Sequence, residues 1–89
     1  MDIKALKYFL ISAREGSITK AANSLNLTQP NLSRQISNLE KEIGKKLFIR
    51  SNYTIKLTTD GMLLKKRAEE IIDLMEKTKK EFKSSDDVI

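Results

Sequence analysis

Between residues 28 and 37 the chain reads Thr-Gln-Pro-Asn-Leu-Ser-Arg-Gln-Ile-Ser, a run rich in amides, hydroxyls and one guanidinium. These groups suit the edges of base pairs and the phosphates beside them. Arg34 has the fork that matches guanine O6 and N7, Gln29 can pair with an adenine edge, and Pro30 can touch a thymine methyl. Ser33 and Ser37 can reach phosphate or base, and Thr28, at the start of a helix, can offer its hydroxyl to a phosphate beside free backbone N–H groups. Further along, Arg50 is placed for phosphate or the minor groove, and Lys45, Lys46 and Lys56 add charge that attracts any polyanion. Structural duties compete for the same residues. Pro30 is also a good helix-start residue, Ser33 an ordinary surface hydroxyl, and Arg50 a cover for apolar residues beneath it.

Composition narrows the classes. The 89 residues contain 17 Lys and Arg against 12 Asp and Glu, no histidine and no cysteine. Disulfides, thiol or imidazole metal sites, Ser-His-Asp triads and Cys nucleophiles are thereby excluded. With three glycines there is no phosphate-cradling Gly-rich loop, nor any convergent acid–base pair, so an enzyme is not expected, and neither is a cofactor. No apolar run approaches the roughly 20 residues of a membrane span. Lys4 and Lys7 interrupt the apolar N-terminal stretch that a signal peptide would need. The expectation is a single small domain, soluble and cytoplasmic at the nucleoid, with no membrane partner. Charge is unevenly placed, with a net of +6 over residues 1–58 and −1 over 59–89. A basic head followed by a charge-balanced tail is the pattern of a polyanion-binding unit joined to a self-associating one.

The elements that must carry these residues follow from periodicity and caps. Ile3, Leu6, Phe9, Leu10 and Ala13 predict a helix over 2–14, stopped by Gly16. Ser17 caps a short helix from Ile18 to Leu25, whose Ala21-Ala22 pair allows close helix approach, and Asn26 ends it. Thr28 caps a third helix over 29–43, apolar along Leu32, Ile36, Leu39 and Ile43, with Pro30, Arg34, Ser37 and Lys41 opposite. Glu and Lys usually dominate a solvated helix face because they are better helix formers than Asn and Ser, so this outer face is unusual. Strand-like runs at 47–49 and 55–57 predict a hairpin with Ser51-Asn52 as turn formers. Thr58 caps a last helix to about residue 83, where Leu64, Ala68, Ile71, Met75, Thr78 and Phe82 step by fours and threes. So long a stripe outruns so small a head, which predicts a homodimer seam.

Two helices joined by Asn26-Leu27-Thr28 form a helix-turn-helix, and the hairpin would be its wing. At this point the chain resembles a known family. The residues Ala21-Ala22, then Gln29-Pro30-Asn31-Leu32-Ser33-Arg34-Gln35-Ile36, then Leu47-Phe48-Ile49-Arg50 resemble the N-terminal domain of LysR-type transcriptional regulators, and the likeness covers residues 1 to about 83. It implies a mainly α fold: a winged helix-turn-helix of three helices plus a two-stranded wing (1–58), then a long dimerisation linker helix (59–83) paired antiparallel with a partner's. It implies binding of double-stranded promoter DNA at interrupted inverted repeats through Thr28, Gln29, Pro30, Ser33, Arg34 and Arg50. Where the family often carries a second wing arginine, this chain has Tyr53. The family's effector domain is not within these residues, so 84–89 are expected to begin the hinge toward it, and any small-molecule effector acts through that domain. The competing expectation is a protein-interaction module working through the last helix, with only non-specific nucleic-acid binding by the head.

Overall fold

The computed structural model describes residues 1–86, with side chains as far as residue 84. Helix α1 (Ile3–Glu15) is capped by Asp2, whose side chain accepts from the Ala5 N–H at 2.7 Å, and ends at Gly16 with φ 67°. Helix α2 (Ile18–Leu25) starts on Ser17 and ends on Asn26 at φ 56°; α3 (Gln29–Ile43) starts on Thr28 and ends on Gly44 at φ 79°. All three stops use a residue type that tolerates the left-handed region, so the chain turns sharply without helix-end carbonyls left unpaired.

A hairpin follows, β1 (Phe48–Ser51) paired antiparallel with β2 (Thr54–Leu57). It differs from the expected strands at both ends. Leu47 lies outside β1 and fully buried, while the ladder extends to Ser51 opposite Thr54. The Thr54 hydroxyl donates to the Ser51 carbonyl at 3.0 Å, and the turn is only Asn52-Tyr53, with Asn52 at φ 37°. Asparagine adopts that backbone more readily than most residues.

The core joins α1, α2 and α3 to the wing. Phe9, Ala21, Leu32, Ile36 and Leu47 are sealed from solvent, and the Phe9 and Phe48 rings meet at 5.3 Å between centroids. Such tilted pairs add to plain burial. The Ile55 N–H donates to the Gly16 carbonyl at 3.0 Å, so β2 is tied to the turn between α1 and α2.

Helix α4 (Thr59–Asp86) is longer than expected and remains helical through the first residues assigned to a hinge; 87–89 lie outside the described residues. Thr58 caps it as predicted, its hydroxyl accepting from the Gly61 N–H at 3.0 Å and donating to the Lys46 carbonyl at 2.6 Å. A helix of 28 residues is about 42 Å long and outreaches the head, and the molecule extends 56 × 26 × 19 Å.

Here the structure corrects the dimerisation list. Leu64 and Ala68 are not free for a partner: both are buried in the protomer's own core, where α4 packs on α1, and Ile72 lies half-buried beside them. The stripe is continuous in sequence, but its first two turns are covered by the head. On α4 the exposed large apolar side chains among the described residues are Met62 and Leu63 near the head and Ile71, Leu74 and Phe82 along the outer helix, and Met75 is half-buried.

Candidate nucleic-acid interface

Capping sets the start of α3, and therefore which side chains it shows. Because Thr28 accepts from the Asn31 N–H at 3.3 Å, its own hydroxyl hydrogen is left available to an outside acceptor. Thr28, Gln29, Pro30 and Arg34 are exposed, and Ser33 and Ser37 are half-buried one step around the helix. The stripe Leu32, Ile36 and Leu39 is buried opposite, so burial of one face dictates display of the other.

Two contacts hold this face in place, and neither was legible in sequence. The Thr19 hydroxyl of α2 donates to Gln29 Oε1 at 3.2 Å, steadying the amide at the head of α3. Arg50 Nη1 donates to Ser33 Oγ at 3.5 Å, drawing the wing over the same helix. Strand alternation puts Arg50 on the sheet face of Phe48 and Ile55, which turns it toward the head rather than away from it. Gln29, Thr19, Arg50, Asn52 and Tyr53 line one cleft between the wing and the start of α3.

A third contact fixes the wing's root. Glu40 is 8% exposed, and its Oε2 accepts from the N–H groups of Leu47 at 2.7 Å and Phe48 at 3.4 Å. A carboxylate on the readout helix thus pairs two amides that would otherwise be buried unpaired. Glu40→Ala should lower stability by about 1–3 kcal/mol, checked by urea denaturation, whereas Glu40→Gln keeps an acceptor oxygen and should lose less. Equal stabilities for wild type and Glu40→Ala would remove the role.

The cations around this face are available to an outside anion. Lys41, Lys45 and Lys46 border a notch around Gly44, together with Ser37 and Glu40. Among the described residues, ion pairs between side chains join Lys65 to Glu69, Arg67 to Glu70 and Glu76 to Lys79, all on α4. The head's one ion pair is made by the Met1 amino group with Glu42. Among the described residues Arg34, Arg50, Lys41, Lys45, Lys46 and Lys56 thus make no ion pair. The structure sets Thr28, Gln29, Pro30, Ser33 and Arg34 together at the start of α3 with Arg50 beside them, whereas Ser37 lies further along the helix and Lys46 beyond its far end.

Three helices, a tight helix–turn–helix and a hairpin wing that leans on the second helix of that pair define a winged helix-turn-helix domain. Residues 3–62 match the family model described as bacterial regulatory helix-turn-helix protein, lysR family. The chain belongs to that family. It is 40% identical over 85 residues to the HTH-type transcriptional regulator YofA of Bacillus subtilis, covering 96% of this chain and 30% of that protein. It is 42% identical over 76 residues to the probable cat1 operon transcriptional activator of Acinetobacter lwoffii, covering 85% of this chain and 25% of that one. The chain therefore spans between a quarter and a third of these relatives' length. Its fold matches the CbnR DNA-binding domain solved with DNA at a TM-score of 0.91 and 32% identity, over 96% of this chain and 98% of that one. It also matches the BenM DNA-binding domain in complex with benA site 1 DNA at 0.89 and 36%, over 94% of each. No helix among the described residues is long and apolar enough to cross a membrane.

Proposed function

We propose that this chain is the sequence-specific DNA-binding unit of a bacterial transcription regulator, working as a homodimer on interrupted inverted repeats and catalysing no reaction. The observation that carries this reading is the outer face of α3, where Gln29, Pro30 and Arg34 are exposed beside cations that make no ion pair among the described residues. The DNA complexes of the CbnR and BenM domains support it, since their folds match over nearly the whole chain. In this reading α3 lies in the major groove, with Thr28 on the phosphate ridge, Gln29, Pro30, Ser33 and Arg34 against base edges, and Ser37 further along the groove. Arg50 meets the backbone or minor groove beside it, and Lys46 adds a sequence-independent phosphate contact. Any small-molecule effector acts through a domain outside these residues.

The dimer contact in this reading is the outer half of α4. Exposed Ile71, Leu74 and Phe82, with half-buried Met75, form an apolar strip that a second copy's helix covers, setting two heads at a fixed spacing. Ile71→Asp should convert dimers to monomers in sedimentation velocity. It should also weaken binding to a full repeat far more than to a half-site. A charged Ile71 variant that stays dimeric would move the contact elsewhere.

The reading as a whole is tested by selection from a pool of duplexes with a randomised centre. The expected product is an inverted repeat with a constant gap. A pool that is not enriched for any sequence would overturn specific recognition.

A further inference from the structure

The tip of the wing has a property that the charge-based reading does not use. Tyr53 is 94% exposed, a large ring held almost entirely in water. The backbone that carries it is nevertheless constrained. It occupies a two-residue turn closed by the Ser51–Thr54 pair, the Thr54 hydroxyl locks onto the Ser51 carbonyl at 3.0 Å, and β2 is anchored to Gly16 through Ile55. Tyr53 borders the same cleft as Gln29 and Arg50, so the tip stands on the side of the molecule that presents α3. It lies three residues beyond Arg50 along the hairpin, roughly 7–10 Å further out, which is on the scale of the step from a major-groove phosphate ridge to the wall of the adjacent minor groove.

Resting on the proposed DNA-binding function, we infer that Tyr53 is a neutral contact of this wing, laying its ring against the deoxyribose wall of the minor groove beside each half-site. The wing's cations, Arg50 and Lys56, precede and follow the turn, so the tip itself brings no charge to the backbone. A ring buried against sugar gains from lost apolar exposure and close packing rather than from counterion release. The contact therefore adds affinity without adding to the salt dependence, and it does not favour the strongly negative, narrow groove of A-tracts as a wing arginine does.

The test uses the 89-residue chain and the duplex that the wild-type protein selects from a randomised pool, titrated by fluorescence anisotropy from about 50 to 200 mM salt. Tyr53→Ala should weaken binding about five- to tenfold, with the slope of log affinity against log salt unchanged. Tyr53→Phe, which keeps the ring, should stay within about twofold of wild type. Tyr53→Arg should steepen the slope by about 0.9 for each wing in contact and raise the preference for A·T flanks. Thermal melts of the free variants should coincide with wild type, because the ring packs on little of its own chain. If wild type selects a duplex and Tyr53→Ala binds it equally well, or lowers the salt slope, the inference fails alone. A Tyr53→Arg variant with an unchanged slope fails it too, since the tip would then stand clear of the backbone. If wild type selects nothing, the DNA-reading function falls and this inference with it.

Discussion

Arg34→Ala should reduce affinity for the selected repeat at least about thirtyfold, and the loss should concentrate on one base pair in each half-site. A bidentate arginine–guanine contact discriminates by about 1–3 kcal/mol, and a dimer applies it twice at separated sites, giving about 2–6 kcal/mol in sum. Arg34 is exposed in the middle of the α3 outer face and makes no ion pair among the described residues, so its removal leaves nothing buried and unpaired. The fold should stay unchanged, with a melting curve that overlays wild type. The check is a set of duplexes in which each base pair of one half-site is replaced in turn. Wild type should discriminate at the position facing Arg34, and the variant should not. Equal losses on cognate and scrambled duplexes would reduce Arg34 to a phosphate contact.

Gly61→Ala should destabilise the head by about 3 kcal/mol or more, a large part of the roughly 5–13 kcal/mol expected for a domain of this size. A Cβ at Gly61 would lie 2.1 Å from the Leu47 carbonyl oxygen and 3.0 Å from Leu57 Cδ2. The oxygen cannot easily retreat. It accepts from the Thr58 N–H at 3.0 Å, while the Leu47 N–H is held by Glu40 at 2.7 Å and the Leu47 side chain is fully buried. Inside a helix, alanine ordinarily outranks glycine by about 1 kcal/mol, so the sign itself is diagnostic. Urea denaturation followed by circular dichroism should show a lower midpoint for Gly61→Ala. A midpoint equal to or above wild type would mean that α4 and the wing root separate without cost. Because the wing and α4 meet at this point, the variant should also bind DNA less tightly than its folded fraction alone accounts for.

How much could be read from residues depends on how local the cause was. The first three helices were legible because their caps are chemical signals at fixed offsets: Ser17 and Thr28 at the starts, Gly16, Asn26 and Gly44 at the stops, each in the conformation its type favours. The outer face of α3 was legible because its composition defies ordinary helix propensity. The hairpin's extent was not, since pairing of Ser51 with Thr54 depends on where Leu47 is drawn into the core. Period alone made Leu64 and Ala68 continuous with Ile71, and only the packing of α1 on α4 divides them. The role of Glu40 leaves no mark in spacing because its partners are amides seven and eight residues away, beyond a helix end. Thr19 was missed for a similar reason, as its bond to Gln29 requires the crossing geometry of α2 and α3. Nonlocal hydrogen bonds leave little trace in spacing.

The central claim, that this chain reads base sequence rather than merely charge, is tested most directly by fluorescence anisotropy with two labelled duplexes. One carries the interrupted inverted repeat and the other the same bases scrambled, each titrated at about 50 and 200 mM salt. Both affinities should fall at the higher salt, because the unpaired lysines and arginines displace counterions on either duplex. The preference for the repeat should survive, because contacts to base edges are not screened in the same way. Two duplexes that bind alike and lose affinity together would contradict the account, leaving a basic head with no readout.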